Sequence, residues 1–169
     1  DSDPEVRTCL AMNTSHTGSM SGRLEKFSDF QSVVRAVCAL QRFVSKSKPS
    51  IEQKLKATNC ILRWTQKESI PEYSILTQGG QIRKSSSIRK LDPFVDRHGL
   101  LRVGGRIRCS DLHFEEAHPL ILPKKSHISR LIVKMCHEKI MHQGQGITMQ
   151  ELRAQGFHIV GASGVVAKH

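Results

Sequence analysis

Residues 91–105 read LDPFVDRHGLLRVGG. Phe94-Val95 and then Leu100, Leu101 and Val103 are short apolar runs. Each is too brief for a helix and is bounded by turn residues, so they read as strands. Between them, Asp96-Arg97-His98-Gly99 makes a turn, with Gly99 at the position that needs a positive φ. Gly104-Gly105 breaks or bulges the second strand. The stretch is therefore a short antiparallel hairpin, and it makes the chain α+β rather than all-helical.

Downstream, Leu120-Ile121-Leu122 is another short strand, bounded by Pro119 and Pro123. Ser126 is placed to cap a helix over 127–141 with Ile128, Leu131, Ile132, Met135 and Ile140 on its apolar face. Gly144 and Gly146 are its expected stop. Thr148 is expected to cap a short helix over 149–154, residues 156–161 to be extended, and a third helix to begin near Ala162 or Ser163.

Upstream the period changes. Phe30, Val33, Val34, Val37, Leu40 and Val44 recur at helical spacing behind Ser28, which predicts an amphipathic helix over 29–46, ended with the help of Pro49. Ser50 with Gln53 three residues on resembles a capping box. It opens a second helix with a looser apolar face of Leu55, Ala57, Ile61, Leu62 and Trp64, running to about Lys67 and closed by Pro71. The two should form a hairpin with facing apolar sides. Residues 78–90, QGGQIRKSSSIRK, are Gly-, Ser- and base-rich and read as the main boundary. The expected organisation is a polar linker (1–26), a helical connector (27–77), a linker (78–90) and a small unit of β-hairpin plus helices (91–169). The predicted fold class is α+β, mostly helical.

With six Phe, one Trp and one Tyr, the core must be largely aliphatic. The net charge is +11, and most of it lies in residues 81–169, where 15 Lys/Arg face 7 Asp/Glu. A basic segment of this kind suits polyanions, nucleic acid above all. The candidate contacts are Arg102, Arg106 and Arg108 by the hairpin, and Lys124, Lys125 and Arg130 at the helix start, giving weak, sequence-independent binding to DNA. Five widely spaced cysteines, none paired as C-x2-C, suit a reducing intracellular setting, cytoplasmic or nuclear. No apolar run is long enough for a membrane helix, so no membrane partner is expected.

An enzyme is not expected. Glu115-Glu116 is the only adjacent carboxylate pair, and it lies with His113 and His118 in what reads as a surface loop. Gly104-Gly105 is not followed by the Lys-Ser/Thr of a phosphate-cradling loop. Eight of the nine histidines lie at or after His98, and His137 and His142 in HEKIMH are the informative pair. Five steps of about 100° do not bring two rings to one face of a continuous helix. They converge only if the helix ends between them. By spacing alone, two surface histidines are the commoner outcome, and the further ligand candidates His158, His169 and Cys136 have no standard spacing behind them.

Residues 137–169, HEKIMHQGQGITMQELRAQGFHIVGASGVVAKH, resemble the integrase zinc-binding region of Pao-type (BEL/Pao) retrotransposon polyproteins. The matching positions are His137, His142, Gly144, Thr148, Met149, Leu152, Arg153, Phe157, Gly161 and Val166. The lead-in, LDPFVDRHGLLRVGGRIRCSDLHFEEAHPLILPKKSHISRLIV, resembles the family's D-G-L-L-R-V-G-G-R and H-P-x-x-L-P motifs, and the likeness extends back to about residue 21. It implies a non-catalytic, zinc-stabilised, nucleic-acid-binding N-terminal domain of an integrase, working in DNA integration beside other integrase domains or subunits. It also implies His137 and His142 as two of four Zn²⁺ ligands. The other two, a C-x2-C, would fall a few residues after His169. The resemblance thus implies a truncated site that does not hold zinc tightly. His158 replaces an expected aromatic and Ala162 an expected Gly, as in a diverged copy. The alternative is a degenerate or host-captured spacer that acts through protein contacts without metal.

Overall fold

The computed structural model describes residues 20–46, 50–105 and 113–161. The fold is α+β and mostly helical. A short helix α1 (Met20–Leu24) precedes the antiparallel pair α2 (Phe30–Ser45) and α3 (Ile51–Ser69), and α4 (Tyr73–Thr77) follows. A single 3-10 turn at Arg89–Leu91 leads to β1 (Phe94–Val95) and β2 (Leu101–Arg102). Then come α5 (Phe114–Ala117), β3 (Leu120–Leu122), α6 (His127–Lys139), α7 (Gln145–Ala154) and β4 (Phe157–Ile159). Among the described residues no helix is long and apolar enough to cross a membrane.

The four strands lie in chain order in one sheet. β1 pairs antiparallel with β2, and β2 with β3, but β3 and β4 run parallel. A parallel pair needs a crossover, and α6 with α7 supplies it. The expected hairpin is present, with Gly99 at φ 74°. Its turn is tied by Asp96, whose Oδ1 accepts from the backbone N–H of His98 (2.8 Å) and of Leu100 (2.9 Å). Gly104 is required by space: a Cβ there would run into the Asp92 carbonyl.

Both faces of the sheet are covered around β3, so that strand is apolar and buried at every position rather than alternating. Leu120 and Leu122 face a core built from Val33, Val34 and Val37 of α2, Ala57, Ile61 and Leu62 of α3, and Ile128 and Ile132 of α6. Leu101 and Ile121 face the opposite side, where Ile70, Tyr73 and Ile88 meet them. The connector helices and the segment 91–161 therefore share one core. Residues 78–90 do not mark a gap in it, because Ile88 is buried at 3% exposure and Ile82 packs against the same cluster.

Several local expectations are corrected. The N-cap of α2 is Asp29, not Ser28: its side chain accepts from Ser32 N–H at 2.7 Å. Full burial along α2 stops at Val37, and Leu40 and Val44 are 66% and 84% exposed. On α3 Leu55 is exposed, although Ser50 caps through Gln53 N–H as its spacing indicated. α6 ends at Lys139, before Gly144 and Gly146, and Ser126 makes no side-chain cap bond. α7 begins at Gln145, with Thr148 buried inside it rather than capping it. The third helix expected near 162 lies outside the described residues.

Candidate functional site

The end of α6 explains how a five-residue spacing brings two histidines together. Met141 and His142 both take the left-handed conformation, at φ 55° and 60°. His142 N–H donates back to His137 O at 3.0 Å, and Met141 N–H to Glu138 O at 3.1 Å. These two bonds are the 6→1 and 5→2 pair of a Schellman motif, which places its first and last residues side by side. Here those residues are His137 and His142. Their ring centroids are 4.8 Å apart at an interplanar angle of 70°.

Thr148, on the first turn of α7, fixes one of the rings. Its hydroxyl lies 3.1 Å from His137 Nδ1 and 3.4 Å from the carbonyls of Gln143 and Gly144. The hydroxyl serves the ring in either tautomer, accepting from an N–H at Nδ1 or donating to a bare Nδ1; with the N–H at Nδ1, Nε2 carries the free lone pair. That is the usual way a ligating imidazole is oriented.

As donors, two neutral imidazoles suit zinc, but a closed site takes about four ligands. Among the described residues no group of three or more His, Cys, Asp or Glu is placed to hold a metal. These residues thus fit half of a zinc site. Cys136 is fully buried, and burial pushes its thiol up to about 11, with Glu151 adding to the effect. His158 sits half-buried in β4, paired in register with Ile121. Burial, and then the charge of Arg153, hold its ring below the ordinary histidine range. His169 lies outside the described residues.

The six basic candidates divide. Lys124, Lys125 and Arg130 are exposed around the start of α6. Arg106 and Arg108 lie outside the described residues. Arg102 is not a surface residue. It is 5% exposed, its Nε donates to Asp96 Oδ2 at 2.7 Å, and its Nη1 donates to the His118 carbonyl at 2.9 Å. Burial pushes the Asp96 carboxyl up, but the hydrogen bond from Arg102, two backbone N–H groups and the guanidinium charge together hold it below the usual carboxylate range. A guanidinium taken up this way braces the hairpin and is not offered to a phosphate.

His118 is likewise no loop surface residue. Its Nδ1 lies 3.1 Å from Val103 O, and its ring packs edge-on to Phe94 at 5.2 Å. His113, Glu115 and Glu116 are exposed as expected. The pairing of Thr148 with His137 was not read from the sequence, which assigned Thr148 to a helix cap. Thr148 lies eleven residues from His137, and its role depends on a helix reversal that no local pattern encodes.

No protein-family model, curated protein or solved structure matches this chain.

Proposed function

We propose that the chain is a non-catalytic module of an integrase, of the kind found in Pao-type retrotransposons: a helical connector joined to the imidazole-bearing part of a zinc-binding, nucleic-acid-binding N-terminal domain. The observation that supports it most is the Schellman exit of α6, which gives the H-x4-H spacing a geometric purpose. Zn²⁺ bound there would be structural, fastening the end of α6 to the segment that brings the remaining ligands. His137 and His142 would hold it, with Thr148 hydrogen-bonded to Nδ1 of the His137 ring and so orienting it. Lys124, Lys125 and Arg130 form an exposed basic edge beside that unit, suited to a phosphate backbone. This reading places the protein inside the cell, in cytoplasm or nucleus.

Titration with Zn²⁺ against a competing chelator tests it. Residues 1–169 alone should bind zinc weakly, since two imidazoles leave the ion mostly hydrated. The same chain joined to a C-x2-C segment from a related element should take up one Zn²⁺ per molecule. His137→Ala or His142→Ala should abolish that uptake. An extended chain that ignores zinc, or holds it equally well without either histidine, would overturn the reading.

A further inference from the structure

We propose that the cleft between α3 and the β1–β2 hairpin binds single-stranded nucleic acid, with phosphates at one end and a splayed base at the other. The proposal rests on the nucleic-acid reading above and gives it a second, separate surface. Two adjoining recesses, of about 590 and 500 Å³, share Asn59, Arg97 and His98 in their walls, so they form one continuous groove.

The smaller recess is basic. Lys56 and Arg63 reach it from α3, and Arg97 and His98 from the hairpin turn. No carboxylate stands among its described lining residues. Lys56 shares its charge with the exposed Glu52 at 2.7 Å, which leaves the two arginines as the principal cations. The turn that carries Arg97 is well held. Tyr73 Oη donates to Gly99 O at 2.8 Å, and Asp96 ties the loop from inside. The Arg97 side chain is itself restrained, its Nε donating to His98 Nε2 at 3.1 Å, and a restrained guanidinium loses less freedom on meeting a phosphate.

The larger recess is partly aromatic, with Phe94, Phe114 and Leu55 in its wall. Phe114 is 55% exposed, yet its ring is fixed from behind. The Arg102 guanidinium carbon lies 5.2 Å from its centroid, and the His118 ring 5.1 Å away. An exposed aromatic ring locked in place is a stacking platform for any base. The acidic groups of this recess do not oppose the ligand equally: Asp96 is neutralised by Arg102, and Glu115 is exposed at the rim. Cations followed by a ring along one groove match the alternation of phosphate and base in a single strand. A duplex keeps its bases stacked inside and cannot offer one to Phe114.

Fluorescence anisotropy with a short labelled oligothymidylate and with a duplex tests the cleft. Arg63→Ala combined with Arg97→Ala should weaken single-strand binding roughly tenfold at low salt and make its salt dependence shallower by one to two. Phe114→Ala should weaken it by about tenfold with the salt dependence unchanged, and Phe114→Tyr should restore it. All variants should keep the circular dichroism and urea midpoint of the parent chain to within the cost of one exposed side chain. A variant lacking Lys124, Lys125 and Arg130 should lose duplex binding instead. Single-strand affinity that survives the Arg63/Arg97 or Phe114 changes overturns the cleft, while duplex binding through Lys124, Lys125 and Arg130 still upholds the general reading. A base-free polyphosphate of equal charge that competes as well as the oligonucleotide also overturns it. No binding of either nucleic acid by the parent chain sinks both.

Discussion

Gln66 carries an amide into a place where a β-ladder would otherwise run. β2 and β3 are in register at Arg102 and Leu120, and one residue further along they part. Gln66, fully buried on α3, fills the gap. Its Nε2 donates to Leu101 O (2.9 Å) and to Ile121 O (2.8 Å), and its Oε1 accepts from Leu101 N–H (2.8 Å). Three backbone groups with no access to water depend on that one side chain. Gln66→Leu fits the volume but orphans all three, at roughly 1–3 kcal/mol for each unsatisfied group, so a loss of about 3–5 kcal/mol is expected after relaxation. Gln66→Glu should be no better, since a carboxylate cannot donate to two carbonyls. Urea unfolding measures both, and a loss below about 1 kcal/mol for Gln66→Leu would show that the amide is not holding the strands. None of this was legible in sequence, because the partners are 35 and 55 residues away. Arg102 was misread for a related reason. It was grouped with Arg106 and Arg108 as one basic cluster, and the cluster does not show that the hairpin folds Asp96 onto it.

At the level of elements, the sequence was most legible where the signal is local. The hairpin, the strand at 120–122 and the starts of α3 and α6 follow from short apolar runs, turn residues and caps. Helix ends were less legible, and α6 shows why. Its stop is made by backbone conformation at Met141, a residue with no preference for the left-handed region, and two glycines lay invitingly further on. Glycine is the usual occupant of that position in a Schellman motif, because a Cβ costs about 1 kcal/mol there. Met141 is also 84% exposed, so its side chain contributes little packing. Met141→Gly should therefore stabilise the chain by about 0.5–1 kcal/mol, read as a higher urea midpoint at unchanged slope. The same change leaves the His137–His142 approach intact, and zinc uptake by the extended chain should not fall. Destabilisation by Met141→Gly would show that the left-handed turn is imposed by contacts of the methionine rather than merely tolerated.

Across the whole molecule, the sequence divides more sharply than the core does. Composition changes at 78–90, and the readings on either side differ in period, which is what suggested a connector and a separate small unit. In the folded chain α2 and α3 supply one wall of the core and α6 with β3 the other, while Gln66 bonds directly to both central strands. Among the described residues these faces bury against each other. A segment that cannot bury its face alone is not an independent domain, whatever its composition. The lone Trp64 makes this measurable. It lies on α3, partly buried against the shared core, so its fluorescence reports the surroundings of that helix. Far-ultraviolet circular dichroism reports α6 and α7 as well. If the core is one cooperative unit, the two probes should trace the same urea transition with the same midpoint and slope. A fragment starting at residue 78 should then show no cooperative transition at all, because Leu120, Leu122, Ile128 and Ile132 would face water where α2 and α3 had been. Two separated midpoints, with the fragment folding at the later one, would mean that the boundary read from composition is real and that the contact between the halves is only a docking.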